Sequence, residues 1–374
     1  MAFANKFLGK RVLVTGHTGF KGAWLAEWLL SLGAEVTGFS LPAPTSPALF
    51  AQLDLPHRLT HIEGDIRDLT ALSAAVKATR PQFVFHLAAQ PLVLLSYQQP
   101  VETYATNIMG TVHLLEAIRQ ADISCAVVCV TTDKCYENRE WVHSYREEDP
   151  VGGYDPYSSS KGATELMIHA YRRSFFSAPD AKVHVASARA GNVIGGGDWA
   201  LDRIVPDCIR SLARQEAIGV RNKTATRPWQ HVLEPLSGYL WLAARLEQTA
   251  AKSDRQHAVL RSAFNFGPAL TSNRTVAELV QEILLHWPGR WDDRSDPAAV
   301  HEAKLLNLST DKAFHHLRWR SVWDFSQTIA QTVTWYNQHR EASGAPDAKL
   351  AAFTKSQIQT YEIEARRLAI AWAD

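Results

Sequence analysis

The sequence has few cysteines and no excess of charge of either sign. The four cysteines, Cys125, Cys129, Cys135 and Cys208, match neither the paired spacing of a zinc site nor a secreted disulfide framework. The 39 basic and 38 acidic residues leave a formal net charge of +1, so electrostatics gives no reason to expect nucleic acid or an anionic membrane as partner. The 15 histidines show no ligand spacing with acids or cysteines, and we predict that the protein binds no metal.

Long apolar runs are also missing. The N-terminus, "MAFANKFLGKRVLVTG", has no apolar segment of the length of a signal peptide, and no window reaches the roughly 18 to 20 apolar residues of a membrane helix. We therefore expect a soluble, cytoplasmic protein with reduced cysteines, of which Cys125 and Cys129 are small core residues. A composition of 46% hydrophobic and 21% charged residues is typical of a folded globular protein.

The first 190 residues alternate short apolar runs with amphipathic stretches. This pattern predicts an α/β fold, a Rossmann-type doubly wound parallel sheet covered by helices. A buried helix face with the rhythm i, i+3, i+4, i+7 lies between the first two strands, and Asp68 is expected to cap a later helix at its N-terminus. The expected strands are "RVLVTG", "EVTGFSL", "THIEG", "FVFHLAA", "CAVVCVTT" and "KVHVASARA".

After about residue 190 the alternation stops. "GNVIGGGDW" is rich in glycine, and helical patterns such as "VAELVQEILLHW" dominate. We therefore expect a second, smaller, mostly helical domain that binds the substrate. The predicted division assigns residues 1–190 to the dinucleotide-binding domain, with 229–255 returning to it, and residues 191–228 and 256–374 to the second domain and the C-terminal tail.

The stretch "VTGHTGFKG" places Gly16, Gly19 and Gly22 between the first strand and the first helix. Glycines there permit a tight turn and let backbone amides approach a pyrophosphate, which the N-terminus of the helix then faces. This context predicts a dinucleotide site. The second strand ends near Ser40 with neither a carboxylate nor an arginine, so the choice between NAD and NADP stays open at this position; Asp65, after the third strand, is either an adenine contact or an exposed loop residue.

Two further groups of residues carry chemistry. Tyr157 and Lys161 lie four apart in a helical pattern, where a lysine ammonium is expected to lower the pKa of the tyrosine so that it accepts a proton from an alcohol. Thr132, Asp133 and Lys134 follow the apolar run "CAVVCV", at the strand end where open α/β sheets bind ligands. Asp133 is expected to be a general acid if burial raises its pKa, and Lys134 a base if its ammonium is destabilised; a capping Asp and a solvated Lys are the alternative.

These motifs resemble the extended short-chain dehydrogenase/reductase superfamily, through the turn Thr15 to Gly22 and the Tyr157–Lys161 pair. More narrowly, "HLAAQPLV", "TTDKCYEN", "GGYDPYSSSKG", "RAGNVIGGGDWALDRIVPD" and "RPWQHVLEPLSGYL" resemble the CDP-glucose branch of the nucleotide-sugar 4,6-dehydratases, over residues 10 to 270. Leu94 is a departure, since members of this family often carry a basic residue at that position. The resemblance implies a lyase that binds NAD tightly through Gly16, Thr18, Gly19, Phe20, Gly22, Asp65, Ile66, Ala88, Ala89, Tyr157 and Lys161.

The resemblance also implies roles for the catalytic residues. Tyr157, assisted by Thr132 and Lys161, removes the proton of the sugar 4-OH while hydride leaves C4, and Asp133 protonates the departing C6 hydroxyl. The base at C5 is an open question between Lys134 and another group. Asn192, Arg203 and Arg227 are the candidate substrate contacts, with a guanidinium suited to the substrate pyrophosphate.

Three further interpretations accompany this assignment. A nucleotide-sugar epimerase or reductase of the same superfamily is the main alternative, and a non-catalytic nucleotide-binding protein is disfavoured because both Tyr157 and Lys161 are present. Family membership further implies a homodimer or homotetramer that pairs the "ATNIMGTVHLLEAIRQ" helix with the helix of Tyr157. The nucleotide base of the substrate is not readable from physical reasoning on the sequence.

Overall fold

The computed structural model describes residues 2–178, 180–250, 255–295, 305–338 and 344–374, and its centre is a parallel sheet of seven strands. The strands of this sheet are β1 (Arg11–Thr15), β2 (Glu35–Ser40), β3 (Thr60–Glu63), β4 (Phe83–His86), β5 (Cys125–Val130), β6 (Val183–Ala190) and β11 (Ala263–Phe266). Their spatial order is β11-β6-β5-β4-β1-β2-β3, so successive strands are added on one side of β1 up to β3 and on its other side from β4 onwards. All six strands predicted from the sequence are confirmed, and the predicted doubly wound α/β fold with them.

Shorter strands and the helices complete the described structure. The shorter strands are β7 (Val193–Ile194), β8 (Ile218–Val220), β9 (Thr226–Pro228), β10 (Gln230–His231), β12 (Asn273–Thr275) and β13 (Trp291–Asp293). The helices are α1 (Phe20–Ser31), α2 (Leu49–Gln52), α3 (Leu69–Thr79), α4 (Val93–Gln98), α5 (Pro100–Tyr104), α6 (Gly110–Gln120), α7 (Pro156–Phe175), α8 (Ile204–Ala213), α9 (Leu233–Thr249), α10 (Arg255–Leu260), α11 (Val276–His286), α12 (Asp311–Leu317), α13 (Phe325–Gln338) and α14 (Ala348–Arg367). A π-helical turn, Ala105–Met109, joins α5 to α6.

The two faces of the sheet carry two separate hydrophobic cores. Along β1, Val12 and Val14 face the core that α1, α9 and α13 cover, whereas Leu13 faces the core that α3, α6 and α7 cover. Neighbouring strands keep this alternation in register, as in the pairing of Leu13 with Val84. Cys125 and Cys129 of β5 are buried core residues, as expected.

The division of the chain differs in part from the expectation. Helix α9, Leu233–Thr249, packs against β5 and β6 of the central sheet. Strand β11, which was expected in the second domain, pairs with β6 from Ala263↔Ser187 to Phe266↔Ala190 and forms the edge of the central sheet. The physical reason is that β6 is buried over its full length and needs a hydrogen-bonding neighbour on its second side, which a short apolar strand after α9 provides.

Local sequence explains where key helices begin. Asp68 accepts hydrogen bonds from the amides of Thr70 and Ala71 and caps α3, as predicted. Asp155 caps α7 through the Ser158 amide, and Pro156 occupies the first helical position, where its missing amide costs nothing. The start of α7 therefore fixes the axial position of Tyr157 and Lys161.

The C-terminal tail, unassigned from the sequence, lies on the sheet domain. Helix α14 contacts α1, where Glu362 accepts a 2.8 Å hydrogen bond from the Trp28 indole. The Trp372 ring stacks on Phe3 with 5.0 Å between centroids, so the two chain ends close over one core. Among the described residues no helix has the length and apolar character needed to cross a membrane.

Candidate active site

The site lies at the carboxyl ends of β1, β4 and β5, beside the reversal in strand order where open α/β sheets bind ligands. Gly16 follows β1 with φ +76°, and a Cβ there would lie 2.7 Å from the backbone nitrogen of Ala88, which follows β4. A Cβ on Gly22 would lie 2.1 Å from the Gly16 carbonyl oxygen. Both glycines are therefore required by close backbone packing, Gly16 also by its left-handed backbone.

Gly19 is different, and this difference supports a bound dinucleotide. A Cβ on Gly19 would meet only the Gly16 carbonyl oxygen, at 3.5 Å, so the protein itself leaves this space open. Gly19 is also the N-cap of α1 and provides no side chain to the first amides of that helix. An uncapped helix N-terminus beside open space fits the pyrophosphate of a dinucleotide, and Phe20, the first residue of α1, reaches across to Gly195 of the second part of the chain.

The residues expected around the adenosine end have partners of their own. The Thr18 hydroxyl lies 2.8 Å from the Ser40 hydroxyl and donates to the Leu41 carbonyl at 3.0 Å, which ties the glycine turn to the end of β2. Asp65 accepts from the Arg67 guanidinium, and this ion pair holds the pKa of Asp65 below its ordinary value. Ile66 is buried against Gly110 of α6, so it shapes the wall rather than binding through a polar atom.

A buried chain of hydrogen bonds joins this turn to α6. The Thr111 hydroxyl donates to the Asn107 carbonyl, so its oxygen accepts from Nε2 of His86 at 3.0 Å. Nδ1 of His86 then accepts from the Thr15 hydroxyl at 2.7 Å, and the Thr15 oxygen accepts from the amide of Ala88 at 3.3 Å. Burial lowers the pKa of His86 to about 3, so the ring is neutral. Its Nε2 therefore donates and its Nδ1 accepts, which fixes the direction of every hydrogen bond in the series. These hydrogen bonds hold the backbone of Ala88 at the edge of the site, and Ala89 follows it in the sequence.

Asp133 is a buried carboxyl group with the properties of a general acid. It begins a short helical turn after β5, only 4% exposed, and accepts a 3.0 Å hydrogen bond from the Thr132 hydroxyl. Burial raises its pKa, although the charges of Lys134, Arg227 and Lys21 oppose the shift. Gly191 leaves room for it, since a Cβ there would lie 3.0 Å from Oδ2 of Asp133. The raised pKa of Asp133 meets the condition under which the sequence predicts an acid role for this residue.

Tyr157 and Lys161 lie on one buried face of α7. Burial raises the pKa of Tyr157 to about 12, and a hydrogen bond with Thr132 only partly opposes this. With only the charges of the protein itself, the prediction that the pKa of Tyr157 is lowered is therefore wrong. The free energy needed to bury a phenolate is larger than the attraction between the phenolate and these charges. Burial also lowers the pKa of Lys161 to about 8, with Glu165 as the main opposing charge.

Lys134 and Lys21 place two further amines at the site. Lys134 is partly buried, and its backbone amide donates to the Thr132 hydroxyl at 3.3 Å. Lys21, which the sequence reasoning did not single out, has its pKa lowered to about 8 by burial and by the nearby charges of Arg203 and Lys161. Its place in "GFKG", one residue before Gly22, was the available signal: a lysine in the first turn after a glycine-rich loop faces the crevice.

The three candidate substrate contacts come from the second half of the chain. Arg203 donates to Asp198 at 2.8 Å, and its charge acts on Tyr157. Arg227 lies in β9, and its charge acts on Asp133. Asn192 follows Gly191, and its carbonyl oxygen accepts from the Gln230 amide at 3.2 Å. The structure thus brings Arg227 near the Asp133 carboxyl group and Arg203 near Tyr157, although these residues are far apart in the sequence.

Comparison with known proteins agrees with this arrangement. The family model described as GDP-mannose 4,6 dehydratase matches residues 13–332. A CDP-glucose 4,6-dehydratase from Salmonella typhimurium is 48% identical over 339 residues, which cover 89% of this chain and 92% of that protein.

Solved structures share the fold. DesIV, a dTDP-glucose 4,6-dehydratase from Streptomyces venezuelae with NAD and TYD bound, superimposes with a TM-score of 0.76 at 24% identity, covering 91% of this chain and 99% of that one. MoeE5 in complex with UDP-glucuronic acid and NAD gives a TM-score of 0.70 at 26% identity, over 87% and 99% of the two chains. With the family model spanning most of the sequence, these matches confirm the predicted resemblance, and the chain belongs to the GDP-mannose 4,6-dehydratase family.

Proposed function

We propose that this chain is a CDP-glucose 4,6-dehydratase, a hydro-lyase that converts CDP-glucose to CDP-4-keto-6-deoxyglucose with NAD regenerated in each cycle. The observation that carries the proposal is the Asp133 carboxyl group, buried and with a raised pKa, next to the Thr132 and Tyr157 hydroxyls. An epimerase needs the tyrosine pair but has no use for an acid that protonates a leaving hydroxyl. The relative at 48% identity supports the choice of CDP-glucose.

Each catalytic residue has one role in this reaction. When bound, NAD would supply the acceptor for the hydride of C4 and the donor of the hydride that C6 receives. Tyr157 takes the proton of the C4 hydroxyl, the Thr132 hydroxyl orients that oxygen, and the Lys161 ammonium stabilises the phenolate. The ketone at C4 acidifies the C5 proton, and Asp133 donates its proton to the C6 hydroxyl, which leaves as water.

We propose Lys134 as the base that takes the C5 proton and gives it back after the hydride returns. Removal of a proton requires the neutral amine. Lys134 adjoins Asp133 in the chain, and its charge acts on that carboxyl group, so the two side chains belong to one site. A Lys134→Gln variant should stop exchange of the C5 hydrogen with solvent while it still oxidises C4. Normal exchange in that variant would assign the role to another group.

NAD fits the residues present, and their proposed contacts follow from position. Gly19 and the start of α1 would hold the pyrophosphate, while Asp65 and Ile66 would border the adenine. Tyr157 and Lys161 would meet the nicotinamide ribose from α7. MoeE5, at 26% identity, is a structure with NAD bound and supports the same cofactor for this chain.

We further propose that Asn192, Arg203 and Arg227 bind the nucleotide sugar. A guanidinium matches a phosphate in two parallel hydrogen bonds, and Arg227 is placed close enough to Asp133 for its charge to act there. Under this proposal residues 191–228 with β12, α11 and β13 form the substrate domain, and residues 1–190 with α9, β11 and α14 form the cofactor domain.

A homodimer or homotetramer through α6 and α7 is also proposed. Apolar side chains that a monomer would leave in water include Val101 of α5, Met109 of the π-turn and Leu166 of α7, which are 75%, 46% and 60% exposed. These elements pack side by side in one layer, so they form one face of the molecule. Such a face is suited to a second copy of the same chain.

The decisive experiment is incubation with CDP-, dTDP-, UDP- and GDP-glucose, with and without added NAD, followed by mass spectrometry. We expect the mass of one water to be lost from CDP-glucose in preference to the others, with no net accumulation of reduced cofactor. An epimerised or oxidised product without loss of water would contradict the dehydratase assignment. Loss of water from another nucleotide sugar would correct only the substrate.

A further inference from the structure

A third residue of α7, Glu165, lies one helical turn after Lys161 and two turns after Tyr157. Positions i, i+4 and i+8 share one face of a helix, so the three side chains form a row. Glu165 is fully enclosed, with a side chain only 5% exposed. A carboxylate in the protein interior costs free energy unless charge and hydrogen bonds compensate it, and here both are present.

Both oxygens of Glu165 are occupied by donors from different strands. Oε1 accepts from the Thr131 hydroxyl, while Oε2 accepts from Ser187 at 2.7 Å and from Arg189 at 2.9 Å. Thr131 directly follows β5 and directly precedes Thr132. Burial alone would raise the pKa of Glu165, but the charge of Arg189 and these hydrogen bonds outweigh it and keep the pKa below its ordinary value.

The far side of Arg189 reaches the other end of the catalytic segment. Its guanidinium donates to the Tyr136 hydroxyl at 2.7 Å and lies 4.8 Å from the centre of that ring. Tyr136 in turn donates to the Asn265 side chain of β11 at 2.7 Å. The segment Thr132–Lys134 therefore lies between two residues that are hydrogen-bonded to the Glu165–Arg189 pair. Thr131, before the segment, donates to Glu165, and Tyr136, after it, accepts from Arg189.

Glu165 also faces the Lys161 ammonium. It is the largest of the charges that oppose the effect of burial on the pKa of Lys161. The thiols of Cys129 and Cys135 face Lys161 as well, but burial raises their pKa values, so they are neutral. On the other side of Glu165, the Arg172 guanidinium of α7 adds a second cation beside Arg189.

We infer that Glu165 is a positioning residue of this active site: one buried carboxylate anchors the Thr132–Asp133–Lys134 strand end to the Tyr157–Lys161 helix and supplies the counter-charge of the Lys161 ammonium. The inference rests on the proposed function for the meaning of the two segments. Oxidation at C4 uses the helix and loss of water uses the strand end, so a single sugar must reach both without the protein shifting. The carboxylate that joins the two segments keeps them in register.

The charge half of the inference is tested with Glu165→Gln, which has the same shape. Loss of the negative charge should lower the pKa of Lys161. Because the phenolate of Tyr157 needs the charged ammonium, the alkaline limb of the pH–rate profile should move down by roughly 1 to 3 pH units. The rate at the acidic end should change much less. An alkaline limb at the wild-type position, in a folded variant that binds NAD normally, would overturn the counter-charge role.

The anchoring half is tested with a matched pair of hydroxyl deletions, which leave the charge in place. Thr131→Val and Ser187→Ala each remove one donor to Glu165, but only Thr131 adjoins the catalytic strand end. We expect Thr131→Val to slow loss of water about tenfold or more relative to C4 oxidation, and Ser187→Ala to keep the wild-type ratio. Equal ratios in the two variants would overturn the anchoring role, and this test stands even if Glu165→Gln does not fold.

The two partial reactions separate this inference from the proposed function. Single-turnover reduction of bound NAD reports C4 oxidation, and the mass of the product reports loss of water. Both are measured with CDP-glucose or with whichever nucleotide sugar the wild type turns over, so a wrong substrate leaves the comparison between variants intact. If the wild type oxidises a sugar but never releases water, the dehydratase proposal and the anchoring role both fail. The counter-charge role is still decided in that case, by the shift of the alkaline limb in Glu165→Gln.

Discussion

Replacement of Asp133 by Asn is the sharpest test of the chemistry. Asparagine has the same shape, and its carbonyl oxygen accepts the Thr132 hydrogen bond that the carboxyl group accepts at 3.0 Å. Since burial favours the uncharged acid at this position, the amide adds no new burial of a charge. The fold and the NAD site should therefore be retained, and only the transferable proton is lost.

The magnitude follows from the role assigned to that proton. General acid catalysis contributes about 10²–10⁴ in rate, or roughly 3–5 kcal/mol of the barrier. We expect loss of water to fall by this factor, while C4 oxidation by Tyr157 and Lys161 continues at close to the wild-type rate. Reduced cofactor and the 4-keto sugar should then accumulate in a single turnover.

The assay is stopped-flow absorbance of the reduced nicotinamide together with mass spectrometry of the quenched product. The Tyr157→Phe variant is the control, because it should remove the hydride step itself and give no absorbance change. Asp133→Asn with normal release of water would refute the acid role. Loss of both partial reactions, with a folded protein, would instead place Asp133 in substrate binding.

The remaining predictions concern the cofactor turn, pH and assembly. Gly19→Ala should fold with wild-type stability, because its φ of −80° suits any residue, but should bind NAD about tenfold more weakly. Gly16→Ala should lose ~1–2 kcal/mol of unfolding free energy because of its left-handed backbone alone. Equal melting temperatures of the two variants would contradict the turn geometry. His86 has a pKa of about 3 in the folded protein, below its unfolded value, so the unfolded chain takes up a proton first as the pH falls below 6.5. The free energy of unfolding should therefore drop by about 2 kcal/mol between pH 7 and about 5. Urea unfolding of His86→Gln should show a smaller drop than that of the wild type. Leu166→Glu should lower the molar mass measured by light scattering, whereas Leu285→Glu on α11 should not, although Leu285 is the more exposed leucine, at 75% against 60%. An unchanged mass for Leu166→Glu would exclude the α7 interface.

Features with a short-range cause were predictable from the sequence. The strand–turn–helix with three spaced glycines, the six alternating strands, the Asp68 cap and the Tyr157–Lys161 pair depend on residues a few positions apart. Backbone sterics and helical periodicity act at that range, so spacing alone predicts them. The placement of Thr132 and Asp133 at the ligand-binding edge followed in the same way, since the short apolar run before them is typical of a buried strand.

Features that depend on the neighbourhood of a group in space were decided by the tertiary structure. The direction of the Tyr157 pKa is set by burial, which the sequence does not reveal, and the prediction from the lysine spacing was wrong for that reason. Strand β11 joins the sheet because β6 lacks a second neighbour, a requirement that arises only once the sheet has formed. Lys21 meets Asp133 across 112 positions of chain, and Arg189 meets Glu165 across 24, because the fold places their elements side by side. The sequence thus determined which chemical groups exist and on which elements they lie, and only the packing of those elements decided which groups face each other, how deeply they are buried and which of them carry charge.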